Sequence, residues 1–83
     1  MNKYPTRDIY LAAAFSALGA EYTGADKTNT RQMIFYFTSP AVDDSQPFDF
    51  EKVERNWVNG TLLVNAKMFA QSLRDLKSVV HSG

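Results

Sequence analysis

Residues 33–37 read Met-Ile-Phe-Tyr-Phe with no polar break, and few other facts about this chain limit its fold so strongly. A β-strand sends successive side chains to opposite faces, so Met33, Phe35 and Phe37 share one face while Ile34 and Tyr36 share the other. Both faces are apolar. In a chain of 83 residues a helical layer can cover one of them, and the other needs a second cover. That cover is either the first helix, with the remaining helices on the opposite face, or another protein.

Composition removes several alternatives. One domain spanning residues 1–83 is the natural reading of the length. There is no Cys to form a disulfide or a thiolate site, and a lone His, His81, cannot build a zinc centre. No cofactor or metal is expected. Nine Lys and Arg balance nine Asp and Glu, so no net field draws in nucleic acid or anionic lipid. The charges are unevenly placed, however. Asp43, Asp44, Asp49, Glu51 and Glu54 accompany only Lys52, whereas Arg55, Lys67, Arg74 and Lys77 accompany only Asp75. Patches of opposite sign can pair within the molecule or across an interface.

The N-terminal order of Lys3, Arg7 and an apolar run over 9–18 imitates an export signal. Asp8 is misplaced for that role, and the run falls short of the about 20 apolar residues that span a bilayer. A cytoplasmic protein without a membrane anchor is the expectation.

Helix signals divide the chain. Thr6 as N-cap, Asp8 in the first turn and Gly19 as a stop predict a first helix over 7–18, apolar most of the way round and suited to packing on two sides. A short strand over 20–24, a polar loop and a strong strand over 31–38 predict a hairpin. Residues 39–47, rich in Pro, Ser and Asp, form a solvated linker. A second helix starts at Phe48 or Asp49 and runs to Val58, with Asn59-Gly60 as its end and Phe50, Val53 and Trp57 inward. Residues 61–64 read as a connector in preference to a third strand. Asn65 caps a third helix over 66–80 whose Phe69, Leu73, Leu76 and Val80 form an apolar stripe. The fold class is α+β: helix, β-hairpin, helix, helix, with helices packed on a small antiparallel sheet.

No catalytic pattern emerges. His81 follows the last core position, where nothing holds it against a nucleophile. The acids around Asp43, Asp44, Asp49, Glu51 and Glu54 lack calcium-loop spacing, and the glycines are too scattered for a phosphate loop. Two binding classes remain. The first is a protein interface, with self or with another protein, built on Ile34, Tyr36 and the exposed side of the first helix at Tyr10, because aromatic residues on a rigid strand are efficient anchors. The second is a nucleic-acid surface of Lys27, Arg31, Lys67, Arg74 and Lys77, with aromatic residues beside cations.

Several segments taken in order resemble a known family: Thr6-Arg7-Asp8-Ile9-Tyr10-Leu11-Ala12-Ala13, Gly19, Phe35-Tyr36-Phe37, Trp57-Val58-Asn59-Gly60, and Leu63-Val64-Asn65-Ala66 with Phe69, Leu73 and Lys77. The chain looks like the small, uncharacterised domains found in bacterial and phage or prophage genomes. The resemblance spans nearly the whole chain and departs from the family in a longer acidic linker at 43–46. It implies a phage-linked origin and a first helix that belongs to the folded domain; a phage-encoded adaptor or inhibitor of a host protein is a special case of the protein-interface reading. It carries over no mechanism.

Overall fold

The computed structural model describes residues 3–28, 31–40 and 48–81. Its elements are β1 (Tyr4–Thr6), α1 (Ile9–Ala17), β2 (Glu21–Asp26), β3 (Ile34–Thr38), α2 (Phe50–Asn59) and α3 (Ala66–His81). The strands form one antiparallel sheet in the order β1-β3-β2, so the double-faced strand lies at the centre. This is the expected α+β class, with one additional strand.

That strand corrects the reading of the N-terminus. Residues 4–6 do not lead into a helix; they pair with β3, Tyr4 opposite Phe37, Pro5 opposite Tyr36 and Thr6 opposite Phe35. Three residues are too few to show an alternating pattern, and Pro5, which has no N–H to donate, is tolerated because β1 is an edge strand. The helix cap moves accordingly from Thr6 to Asp8, whose Oδ1 accepts from the backbone N–H of Tyr10 (2.9 Å) and Leu11 (3.3 Å). Thr6 is buried, and its Oγ1 accepts from Asp8 N–H at 3.2 Å, holding the bend between strand and helix.

Two other boundaries also differ. β2 begins at Glu21 and runs on to Asp26, and β3 begins at Ile34, leaving Arg31 in the turn before it. Ala20 is instead drawn into the close of α1: its N–H reaches Phe15 O (3.0 Å) while Gly19 N–H reaches Ser16 O (3.1 Å). Gly19, at φ 108°, and Gly60, at φ 74°, take the left-handed conformation that these helix ends require. Residues 61–65 form no strand and join α2 to α3. Asn65 caps α3, accepting from Met68 N–H at 3.0 Å. The linker expected at 39–47 lies outside the described residues from 41 onward; at its two ends, Ser39 Oγ accepts from Phe48 N–H at 3.0 Å.

α1 is the centre of the fold. Leu11, Ala12, Ala13, Ala14, Phe15 and Ala17 are all buried, because the helix packs on the sheet and is covered in turn by α3, with α2 at its flank. Three successive alanines present no side chain beyond a methyl and let both layers approach. The run that imitates an export signal is thus the helix around which the other elements pack. Below it Phe15 meets Phe37, Phe48, Phe50 and Tyr4 in edge-on contacts with centroids 5.1 to 6.1 Å apart. Trp57 of α2 lies against Phe69 of α3, which ties the two amphipathic helices together.

β1 is fastened to α2 through Tyr4. Its ring stacks on Phe50 (4.8 Å, 7° between planes) and its hydroxyl donates to Glu54 Oε1. That hydrogen bond, then burial and the Glu54 and Glu51 charges, push the phenol up to about 12 from 10.0. Below pH 10 the phenol is neutral in both folded and unfolded chains, and the contribution is complete. As pH rises from 10 through about 12 the unfolded chain ionises first, holds fewer protons than the folded one, and the contribution is lost. Tyr4→Phe is therefore expected to cost about 1 kcal/mol at neutral pH, after allowance for solvent screening. The gap to wild type should close between pH 10 and 12 in urea titrations. A gap that stays constant across that range would show that the Glu54 bond contributes nothing.

Candidate functional site

The sheet has two unlike faces. Met33, Phe35 and Phe37 point to the helices and belong to the buried core cluster, with Tyr4 and Ala25 partly buried against it. Cross-strand partners share a face, so Ile34 and Tyr36 lie on the other side together with Pro5, their neighbour on β1. None of these three joins the core cluster, and the helix contacts to the sheet run through the inner face. Among the described residues no helix lies over the outer face. The alternative in which the first helix covers Ile34 and Tyr36 is not the observed arrangement.

A concavity of about 270 Å³ sits on this face, lined by Pro5, Thr6, Arg7, Ile34 and Tyr36. It combines an aromatic ring, two aliphatic side chains and a guanidinium, the residue types that anchor protein interfaces. Pro5 and Arg7 were not among the residues expected here. They become legible only if Tyr4-Pro5-Thr6 is read as strand, since alternation then puts Pro5 beside Tyr36.

Tyr10 does not join them. It is 48% exposed, but it leaves with α1 on the opposite side of the sheet and lines neither this concavity nor its neighbour. The exposed side of the first helix reduces to Tyr10 at its start and Leu18 at its end, because everything between is buried or half-buried.

The five basic residues proposed for nucleic acid fall into two groups. Lys27 and Arg31 belong to the connection between β2 and β3, and Arg31 lines a concavity of about 220 Å³ with Arg7, Ile9, Met33, Phe35 and Val80. Lys67, Arg74 and Lys77 are exposed on α3, where Arg74 and Lys77 share a broad concavity of about 560 Å³ with Ala70, Leu73, Ser78 and His81. This second surface is open and is the larger, while of the strand aromatics expected beside the cations, Phe35, Tyr36 and Phe37, two are buried and Tyr36 is half-buried on the outer face.

The acids are engaged locally. Asp49 caps α2, its Oδ1 accepting from Lys52 N–H at 3.0 Å, and Glu54 holds Tyr4. Asp43 and Asp44 lie outside the described residues. No group of three or more His, Cys, Asp or Glu is placed to hold a metal ion among the described residues. Asp26 accepts from the Thr28 side chain and from its backbone N–H (2.9 Å), which lowers its carboxyl below the ordinary value. Burial alone raises the Tyr22 phenol, whose ring tilts against Phe37 at 5.7 Å.

A further apolar group escapes the periodicity of the helices. Val58, Leu63 and Met68 are 76%, 88% and 52% exposed at the corner between α2 and α3. Their signal in the sequence was the connector itself, where Leu63 has no helix to turn it inward. No helix among the described residues is long and apolar enough to cross a membrane.

The geometry therefore offers a partly apolar sheet face with no helix over it among the described residues, on which Ile34 and Tyr36 are half-buried, as the principal candidate and a basic helix face as a second. No family model, curated protein or solved structure matches this chain.

Proposed function

We propose that this chain is a non-enzymatic protein-interaction module that docks through the outer face of its sheet, with Ile34 and Tyr36 at the centre and Pro5 and Arg7 beside them. One observation carries this reading: all three helices pack on the other face, leaving a central strand with an aromatic and an aliphatic side chain outside the core. A partner gains by removing that surface from water. The partner is a second copy or another protein. With the phage-linked origin that the family resemblance implies, an interaction module of this kind is a phage- or prophage-encoded adaptor or host-protein inhibitor, acting in the cytoplasm of a bacterium or an infected cell.

Tyr36→Asp tests the reading. A carboxylate in the middle of a closed interface is desolvated without a partner, so association should weaken by about 30-fold or more while the monomer keeps its thermal midpoint within a few degrees. Light scattering coupled to size exclusion, run over a concentration series, measures the first, and circular dichroism the second. Collapse of the fold would make Tyr36 a core residue, and unchanged association would remove the face from consideration.

A second reading rests on the basic face of α3. Arg74 and Lys77 open onto one concavity, with Lys67 two turns before Arg74 on the same stripe, an arrangement that suits a phosphate backbone. Binding of a single-stranded or duplex oligonucleotide should then fall steeply with salt, the slope becoming shallower by about one unit for each of these residues changed to Ala. Absence of binding at low salt would dismiss it.

A further inference from the structure

The outer face of the sheet is laid out in three rows of different chemistry. Along β3 run Ile34, Tyr36 and Thr38. On the β1 side the row is basic at both ends: Lys3, exposed and one residue before Tyr4, has the parity of Pro5, and Arg7 lines the outer concavity. On the β2 side the row is acidic at both ends, Glu21 opposite Thr38 and Asp26 opposite Ile34, with Gly24 opposite Tyr36 between them. Glu21 and Asp26 are five positions apart and would normally face opposite ways. The bulge between Tyr22 and Gly24 absorbs one residue, so Tyr22 and Ala25 both turn inward and both carboxylates turn outward.

We infer that this face is self-complementary and binds a second copy of the chain, sheet against sheet, about a two-fold axis that runs along β3. The inference rests on the outer face being the interaction surface, as proposed above, and adds the partner and its orientation. A two-fold axis lying between the sheets and parallel to β3 exchanges left and right and preserves position along the strands. The basic row of one copy then lies on the acidic row of the other. Lys3 meets Glu21 at one end and Arg7 meets Asp26 at the other, in each case twice per dimer. Pro5 falls on Gly24, which has no side chain to obstruct it, and Tyr36 meets Tyr36.

A long basic and a short acidic side chain together bridge the roughly 10 Å between packed sheets. A two-fold axis across the strands would instead lay bases on bases and acids on acids, which is repulsive along both rims. Charge therefore selects one orientation. Because the face is only three short strands wide, it falls below the standard size of about 800 Å² per partner, and dissociation in the micromolar range is expected.

The test is charge exchange between copies, followed by sedimentation velocity at concentrations up to about 0.5 mM, a range set by that expected weakness. Arg7→Glu alone places acid on acid, and Asp26→Arg alone places base on base, so each should dimerise at least about tenfold more weakly than wild type. Mixed in equal amounts they should form a heterodimer, because Glu at 7 of one copy meets Arg at 26 of the other, while Arg7 and Asp26 remain matched at the second contact. Lys3→Glu with Glu21→Arg provides an independent pair that leaves the Thr28 hydrogen bonds to Asp26 untouched. Circular dichroism of each variant shows that it is folded.

Restored association in either mixture is the expected result. If both mixtures stay monomeric while Tyr36→Asp still abolishes the wild-type dimer, the surface is right and the two-fold arrangement is wrong. Wild type that remains monomeric throughout overturns the second copy as partner. Dimerisation unaffected by Tyr36→Asp refutes the interaction surface itself.

Discussion

Phe15→Ala is expected to remove about a third or more of the stability of the fold. Phe15 has no exposed surface, and its ring is the common member of four aromatic contacts, with Tyr4, Phe37, Phe48 and Phe50. These partners come from β1, β3, the approach to α2 and α2 itself, so the cavity left by the ring lies where the sheet and two helices converge. Truncating a buried Phe costs about 3–5 kcal/mol, and rigid surroundings on several sides favour the upper part of that range because they cannot collapse inward. At roughly 0.05–0.15 kcal/mol per residue, the whole domain has only about 4–12 kcal/mol of stability to lose. Urea unfolding followed by far-UV circular dichroism should show a low midpoint or no native baseline. Phe15→Leu keeps most of the volume and should retain a cooperative transition. A loss below about 1 kcal/mol for the alanine variant would mean that the aromatic cluster is not the centre of the core.

Ala13→Leu is expected to cost nearly as much by the opposite means. Ala13 is fully buried in a helix that is covered by the sheet on one side and by α3 on another, and both neighbouring residues, Ala12 and Ala14, are equally inaccessible. An isobutyl group in place of the methyl cannot turn to solvent and has to force the layers apart. Overpacking of this kind costs about 1–3 kcal/mol, and the central position of α1 puts the expectation near 3. The same change at Tyr10, which is 48% exposed on the same helix, should be nearly neutral. Thermal unfolding of the two variants side by side separates a packing effect from helix propensity, since Leu is a good helix former at both positions. Equal stability of both variants would show that α1 is not compressed between layers.

These expectations, together with those for Tyr4 and Tyr36, depend on features of unequal visibility in the sequence. The helices were visible wherever their signals are local. Asn65 before α3 and Gly60 after α2 act on backbone groups within a turn of themselves, so reading neighbours sufficed. The α1 signals misled at one end because Thr6 and Asp8 are both acceptable caps, and the choice between them was made by β3, which recruits Tyr4-Pro5-Thr6 as a strand from thirty residues away. The separation of Tyr10 from Ile34 and Tyr36 has the same origin: an exposed aromatic on a helix gives no sign of which side of a sheet the helix will take. Arg7 carries no local signal, because its significance comes from lying beside Ile34 and Tyr36, and nothing between residues 7 and 34 foretells that neighbour. The bulge that turns Glu21 and Asp26 to the same face is equally hidden, since it is a property of the pairing with β3 and not of β2 alone.

Two apolar faces on β3, a first helix that is apolar nearly all round and two amphipathic helices after it can all be read from consecutive residues, because periodicity and capping are local. That the helices gather on the face of Met33, Phe35 and Phe37 and leave Ile34 and Tyr36 outside the core is a result of long-range packing alone. Side-chain alternation is symmetric between the two sides of a strand. The choice of side is made by how α1 leaves β1 and by the aromatic cluster around Phe15, contacts between residues far apart in the chain that no local pattern records.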